Sequence, residues 1–251
     1  MNTTLKLTCF FTIVFLSVLS VAEAQTTRKP QQNRGKQPDP TWNFEADPAL
    51  PNVQILGDSI SIGYTRKVRE LLQSKANVYR PMQKEGIPAN CMFTAHGIDK
   101  LDSYLGTTKW DVIHFNWGLH DLAHFSVQDG VSVRDKVNGK TRYPIEDYEK
   151  NLEKIVNRLE KTGAKLIWAS TTLVPDGESG RKVGDDVRYN AAAAKVMEKH
   201  RIPIDDLYSL TKDFAPEFFQ APANVHYSKP GYDRLARQVA ESILKAMNNK
   251  E

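Results

Sequence analysis

Short apolar runs alternate with segments whose apolar residues recur every three or four positions, and this alternation runs through most of the chain. Val53–Leu56, Trp110–Phe115, Lys165–Ala169 and Ile202–Asp205 have the length and composition of buried strands, with Asn77–Arg80 a weaker member of the set. An amphipathic stretch from Ile60 to Leu72 predicts a helix directly after the first strand. In a second helix Ile145, Tyr148, Leu152, Ile155, Val156 and Leu159 share one face, and Gly163 follows where a C-terminal cap belongs. The last helix starts near Pro230, which suits a first turn, and buries Tyr232, Leu235, Ala236, Val239, Ile243 and Leu244. Repeated β-α units joined by right-handed crossovers give an α/β domain: a parallel sheet with helices on both faces. Its ligand site is expected beyond the carboxyl ends of the strands, where Ser59 and the segment Asn116–Asp121 stand.

The N-terminus departs from this pattern. Lys6 precedes an apolar run from Leu7 to Val21 that ends in Ala22-Glu23-Ala24, the small-residue spacing a signal peptidase accepts. The run is shorter than the ~20 apolar residues that span a bilayer, and no second one follows. Residues 1–24 are therefore expected to be a cleaved signal peptide. The mature chain is expected to be secreted or periplasmic and to lack a transmembrane span.

Residues 25–45 read as a disordered basic linker, polar from Gln25 to Pro40 and without an apolar pattern. Arg28, Lys29, Arg34 and Lys36 against Asp39 give residues 25–40 +3 of the formal net charge of +4, and the leader is neutral. The chain beyond Pro40, which holds the folded domain (residues 46–251), is left at about +1, with no basic surplus for nucleic acid. Removal of the leader leaves one cysteine, Cys91, so no intrachain disulfide is expected despite export and packing must hold the fold.

Candidate chemistry sits at both ends of the domain. Gly57-Asp58-Ser59 places a serine at a strand-to-helix turn, where backbone N–H groups and the positive end of the helix dipole favour an attacking oxygen and the oxyanion it creates. Far downstream, His226 lies in Asn224-Val225-His226-Tyr227-Ser228-Lys229-Pro230-Gly231-Tyr232, just ahead of the last helix. A serine and a histidine so disposed suggest a nucleophile and its general base. His120 and His124, with Asp121 between them, lack a third ligand, so neither a metal nor a cofactor is expected.

From Asn52 to the C-terminus these segments resemble the SGNH/GDSL hydrolase superfamily, whose serine stands in a GDS block after the first strand and whose histidine stands in a late DxxH block. The resemblance implies a three-layer α/β/α, flavodoxin-like parallel sheet and hydrolysis of esters, often acetyl or other acyl groups on carbohydrates or lipids. It assigns Ser59 and His226 to catalysis. It assigns the Ser59 N–H and His120 to the oxyanion hole, with Asp58, Gly118, Asn90 and Trp117 lining the site.

Two departures stand out. The third block, GxND in the family, is Gly118-Leu119-His120-Asp121, so an imidazole replaces the asparagine donor. Ala223 occupies the position of the DxxH aspartate, so the histidine must find its partner in a backbone carbonyl, in Asn224 or in a distant carboxylate. A second-block glycine does not align within Asn90–Gly97. The expected partner is an ester substrate, an acylated carbohydrate first and a lipid ester second. The rival readings are an acyltransferase and a non-catalytic carbohydrate-binding or scaffold protein on the same fold.

Overall fold

The computed structural model describes Met1 and residues 37–249. The expected signal peptide and most of the linker lie outside these residues. The chain runs through β1 (Asn52–Leu56), α1 (Ser59–Leu71), β2 (Asn77–Tyr79), β3 (Met82–Lys84), β4 (Ile87–Pro88), α2 (Thr94–Leu105) and β5 (Val112–Phe115). It continues through β6 (His124–Gln128), β7 (Val131–Arg134), β8 (Lys140–Thr141), α3 (Ile145–Glu160), β9 (Lys165–Ala169), α4 (Asp185–Lys199), β10 (Ile204–Asp205), α5 (Leu207–Lys212) and α6 (Lys229–Asn248).

Five strands form one parallel sheet in the order β2-β1-β5-β9-β10, the flavodoxin-like arrangement. Helices α1 and α6 pack together on one face, and α2, α3 and α4 pack in succession on the other. With both faces covered, β1 and β9 are each buried at every position after the first, β9 being apolar there throughout and β1 at all but Gln54. The strands expected from Trp110 and Ile202 begin two residues later. Pro203 has no N–H to give a ladder, which delays the start of β10.

The order reverses between β1 and β5, so a crevice opens where those two strands end. Leu56 and Phe115 are in register there, which brings the loop carrying Ser59 beside the loop Asn116–Asp121. The Asn116–Asp121 loop is tied to the helix layer by Asp121, whose Oδ1 accepts the Thr94 N–H (2.9 Å) and hydroxyl (2.6 Å) at the start of α2. Burial pushes the Asp121 carboxyl up to about 7 against the pull of those two hydrogen bonds.

Two features were not expected from the sequence pattern. Between β5 and α3 the chain forms a small antiparallel sheet, β7-β6-β8, built on a hairpin that turns at Asp129-Gly130. Both turn residues have positive φ (50° and 76°), as a two-residue type I′ turn requires. The linker also ends earlier than residue 45. Trp42 is buried under Arg66, Phe44 packs edge-on against Tyr79, and Arg69 Nη1 donates to Trp42 O (3.0 Å). These two aromatic side chains give a polar segment enough apolar area to dock on α1.

Candidate active site

Asp58 caps α1, its Oδ1 accepting the Ile60 N–H (2.9 Å), so the cap is the aspartate and the neighbouring serine hydroxyl is free. Ser59 is the first residue of the helix, where the N–H groups have no intrahelical acceptor. Its Oγ lies 2.9 Å from His226 Nε2. The histidine comes from the segment between a short 3-10 turn at Pro216–Phe218 and α6. That segment is held by an isolated bridge between Phe219 and Tyr227 and by Ser228, which caps α6.

Asn224 occupies the position next to the ring. Its Oδ1 accepts the His226 backbone N–H (2.9 Å) and lies 2.9 Å from His226 Nδ1. A backbone N–H can only donate, so the group facing it is the amide oxygen, and Nδ1 opposite that oxygen must carry the ring proton. Nε2 is thereby the unprotonated nitrogen, and it is the one that faces Ser59. Asn224 thus does for orientation and tautomer what the absent aspartate would do, without its charge. Ala223 itself is exposed, in the left-handed region at φ 57°, and makes no hydrogen bond to the ring.

Ser59, Asp58, Asn90, His120, Asn224 and His226 line one cavity of about 440 Å³. His120 has no side-chain hydrogen bond among the described residues, so its ring N–H is unused. Burial pulls its pKa down, opposed by Asp58 and reinforced by Arg181, Arg134 and Arg142, so the ring is a neutral donor at pH 7. Asn90 Oδ1 is committed to the Met92 N–H (2.9 Å), which leaves its NH2 group as a second unused donor in the cavity wall. Burial likewise lowers the His226 pKa, with Asp58 acting against it and Arg181 and Arg134 with it. The His226 imidazole is therefore neutral at pH 7.

Trp117 and Gly118 do not line the cavity, contrary to their expected place. The Trp117 indole is fully buried and donates to Cys91 O (3.0 Å), lying in a slot opened by Gly97 on α2, where a Cβ would fall 2.7 Å from the ring. Gly118 is pressed against Thr171, whose Oγ1 would meet a Cβ at 2.0 Å. His124 is turned away to Asp185, Nε2 to Oδ2 2.7 Å, which removes it from any site shared with His120.

Sequence reasoning missed Arg80, although it ends the second apolar run. It is 5% exposed, and its Nη2 donates to Gly57 O (2.6 Å) and Ala89 O (2.9 Å) and its Nη1 to Ser61 Oγ (2.7 Å). One buried guanidinium therefore ties the turn that carries Ser59 to the strand that delivers Asn90. Arg80→Met is expected to lower the unfolding free energy by about 3 kcal/mol, because charged hydrogen bonds are lost and Ala89 O loses a donor inside the protein. Urea denaturation measures this, and a loss under ~0.5 kcal/mol would show that water reaches these carbonyls.

Sequence reasoning also missed Arg134, Glu178, Ser179 and Arg181, which complete the cavity wall from β7 and the loop after β9. The Asp129-Gly130 turn was the available signal for the hairpin that carries Arg134.

If His120 donates to the oxyanion, His120→Ala is expected to lose on the order of 10²-fold in kcat while His120→Asn keeps most of it. Initial rates on a soluble acetyl ester decide this, and an unchanged alanine variant removes His120 from the oxyanion hole.

No protein-family model matches the sequence, and no curated protein does. Solved structures are similar in fold. A lipase/acylhydrolase from Enterococcus faecalis is 20% identical, with 77% of this chain and 95% of that chain covered at a TM-score of 0.60. An acetyl xylan esterase is 15% identical over 76% of this chain and 99% of its own, TM-score 0.58. A GDSL-like lipase from Bacteroides thetaiotaomicron is 14% identical over 78% and 88%, TM-score 0.55. With the sheet order and the strand-turn-helix at Ser59, these likenesses give the chain the fold of the SGNH/GDSL hydrolases.

Proposed function

We propose that the protein is a secreted serine esterase that hydrolyses acyl esters, acetyl first of all, on carbohydrate. The observation that carries the reading is a pair of 2.9 Å contacts on either side of one imidazole, Ser59 Oγ to His226 Nε2 and His226 Nδ1 to Asn224 Oδ1, at the topological switch point of the sheet. The solved acetyl xylan esterase of the same fold supports the acetyl-carbohydrate part by analogy of fold.

In this mechanism Ser59 Oγ attacks the ester carbonyl carbon as its proton passes to His226 Nε2. The carbonyl oxygen becomes an oxyanion, held by the Ser59 N–H, the His120 ring N–H and the Asn90 NH2 group. Collapse of the tetrahedral species breaks the bond to the alcohol, which leaves with the proton from Nε2. Water then attacks the acyl-serine, His226 again taking and returning the proton, and the acid is released. Asn224 Oδ1 accepts from Nδ1–H throughout and stabilises the transient imidazolium by its dipole alone.

Labelling with a fluorophosphonate tests the reading. The mature protein is expected to gain one phosphonyl adduct by intact mass, and Ser59→Ala none. Absence of an adduct on the folded wild type would shift the reading to a binding protein on a hydrolase fold.

A further inference from the structure

We infer that the site takes esters that carry an anionic group, a carboxylate or a sulfate, held at the cavity mouth by Arg134 with Arg181 behind it; this substrate class rests on the esterase reading above. The two guanidinium groups share a single acid. Arg181 Nη1 lies 3.0 Å and Arg134 Nη1 3.3 Å from the same Glu178 Oε1, while Glu178 Oε2 accepts the Gly180 N–H at 2.7 Å. Both carboxylate oxygens are thus occupied by the protein itself, and the cluster retains one uncompensated positive charge.

Arg181 is 3% exposed and fixed a second time by Nε donating to Leu119 O (2.7 Å), the residue before His120. It behaves as the anchored member, and Arg134, whose side chain is 43% exposed, as the accessible one. Each guanidinium offers a planar fork of N–H donors. Among the described residues only Arg181 Nε and Nη1 and Arg134 Nη1 are engaged.

The position of Arg134 is preset. Its aliphatic stem crosses Gly180 so closely that a Cβ there would lie 2.7 Å from Arg134 Cδ and 3.0 Å from its Cβ. The stem is held against backbone, and the loss of freedom normally incurred when a long cationic side chain grips a ligand has already been taken in folding. A third cation, Arg142, stacks on Phe93 and Phe125 and adds to the positive potential felt at His120.

The opposing acid in the cavity wall, Asp58, is bound to the Ile60 N–H and faces the positive end of α1, which offsets it. His120 and His226 are neutral at pH 7 and contribute no charge of their own. The balance left for a ligand is positive and rich in forked donors, which matches a carboxylate or sulfate better than a neutral sugar hydroxyl.

The test compares O-acetylated galacturonic acid, O-acetylated galactose 6-sulfate and O-acetylated galactose as substrates, with 4-nitrophenyl acetate as the reference ester. Wild type is expected to show kcat/KM at least about tenfold higher for one of the acidic esters than for the neutral one, the size of one charge-assisted hydrogen bond, and to lose the preference in high salt. The better of the two acidic arms identifies the anion. In Arg134→Gln the acidic-to-neutral ratio is expected to fall to about one. A wild-type ratio near one, or a ratio that survives in Arg134→Gln, overturns the inference.

Should none of the four esters be hydrolysed, the esterase reading fails by itself. Calorimetric binding of galacturonic acid, galactose 6-sulfate and galactose to Ser59→Ala then decides the anion question. Tighter binding of an acidic sugar upholds the anion site, and equal or no binding rejects it.

Discussion

Ser59→Ala will lower kcat on 4-nitrophenyl acetate by on the order of 10⁶-fold, and adding His226→Ala will cost almost nothing more. The geometry dictates both halves of that expectation. Nε2 faces Ser59 Oγ at 2.9 Å and has no other hydrogen-bond partner among the described residues, so the ring serves one oxygen. Without the oxygen the base has nothing to deprotonate, and without the base the hydroxyl stays a weak nucleophile at neutral pH. Two groups that act only through each other give strongly non-additive losses. Rates of the two single variants and the double variant measure this. Losses that simply multiply would mean that His226 and Ser59 work on different steps, and the proposed mechanism would be wrong.

Asn224→Ala will reduce kcat/KM by on the order of 10³-fold, somewhat less than the ~10⁴ associated with disabling a buried triad carboxylate, because the amide oxygen supplies tautomer and orientation but no charge. Asn224→Asp will act in the opposite direction. A carboxylate retains the acceptor for the His226 backbone N–H and for Nδ1, and adds a negative charge beside the ring that favours the imidazolium. In the wild type the His226 pKa is pulled below the ordinary histidine value of 6.5 by burial, so the activity of the proposed esterase is expected to hold on acidification until below that pH. In Asn224→Asp the pKa rises, the acidic limb of kcat/KM moves to higher pH, and the plateau above it increases. A pH–rate profile with an unmoved limb would show that Asn224 does not govern the ring.

The sheet was legible because it is local. Val53–Leu56 and Lys165–Ala169 are apolar runs of strand length, and the helix after Gly57 repeats its apolar positions over three turns. Ser59 and His226 were legible for the same reason, each being fixed by the end of an element. What escaped depends on distance or on a missing buried face. The β6–β7 hairpin leaves Val127 and Val131 exposed, 75% and 61%, so its apolar residues announce no core-facing side. Trp117 sits beside the site in sequence, yet Gly97, twenty residues earlier on another element, opens the slot that draws it inside. Arg134, Glu178 and Arg181 meet only because the β6–β7 hairpin and the loop after β9 come together, and nothing in their spacing advertises the meeting. Asn224 stood among the open alternatives, and choosing it required the direction of one backbone N–H.

The hairpin at Asp129-Gly130 separates two tasks within one chain. Ser59 and His120 follow strands of the parallel sheet and His226 precedes its last helix, so any shift in them disturbs the core. Arg134 instead rides on an antiparallel arm whose register is set by its own turn. That arm can lengthen, shorten or exchange residues at its tip without re-registering β1 against β5. On the proposed esterase reading, selection on what the crevice admits can therefore proceed almost independently of selection on bond cleavage, and a transplanted arm from another protein of this fold is a direct route to a new substrate range.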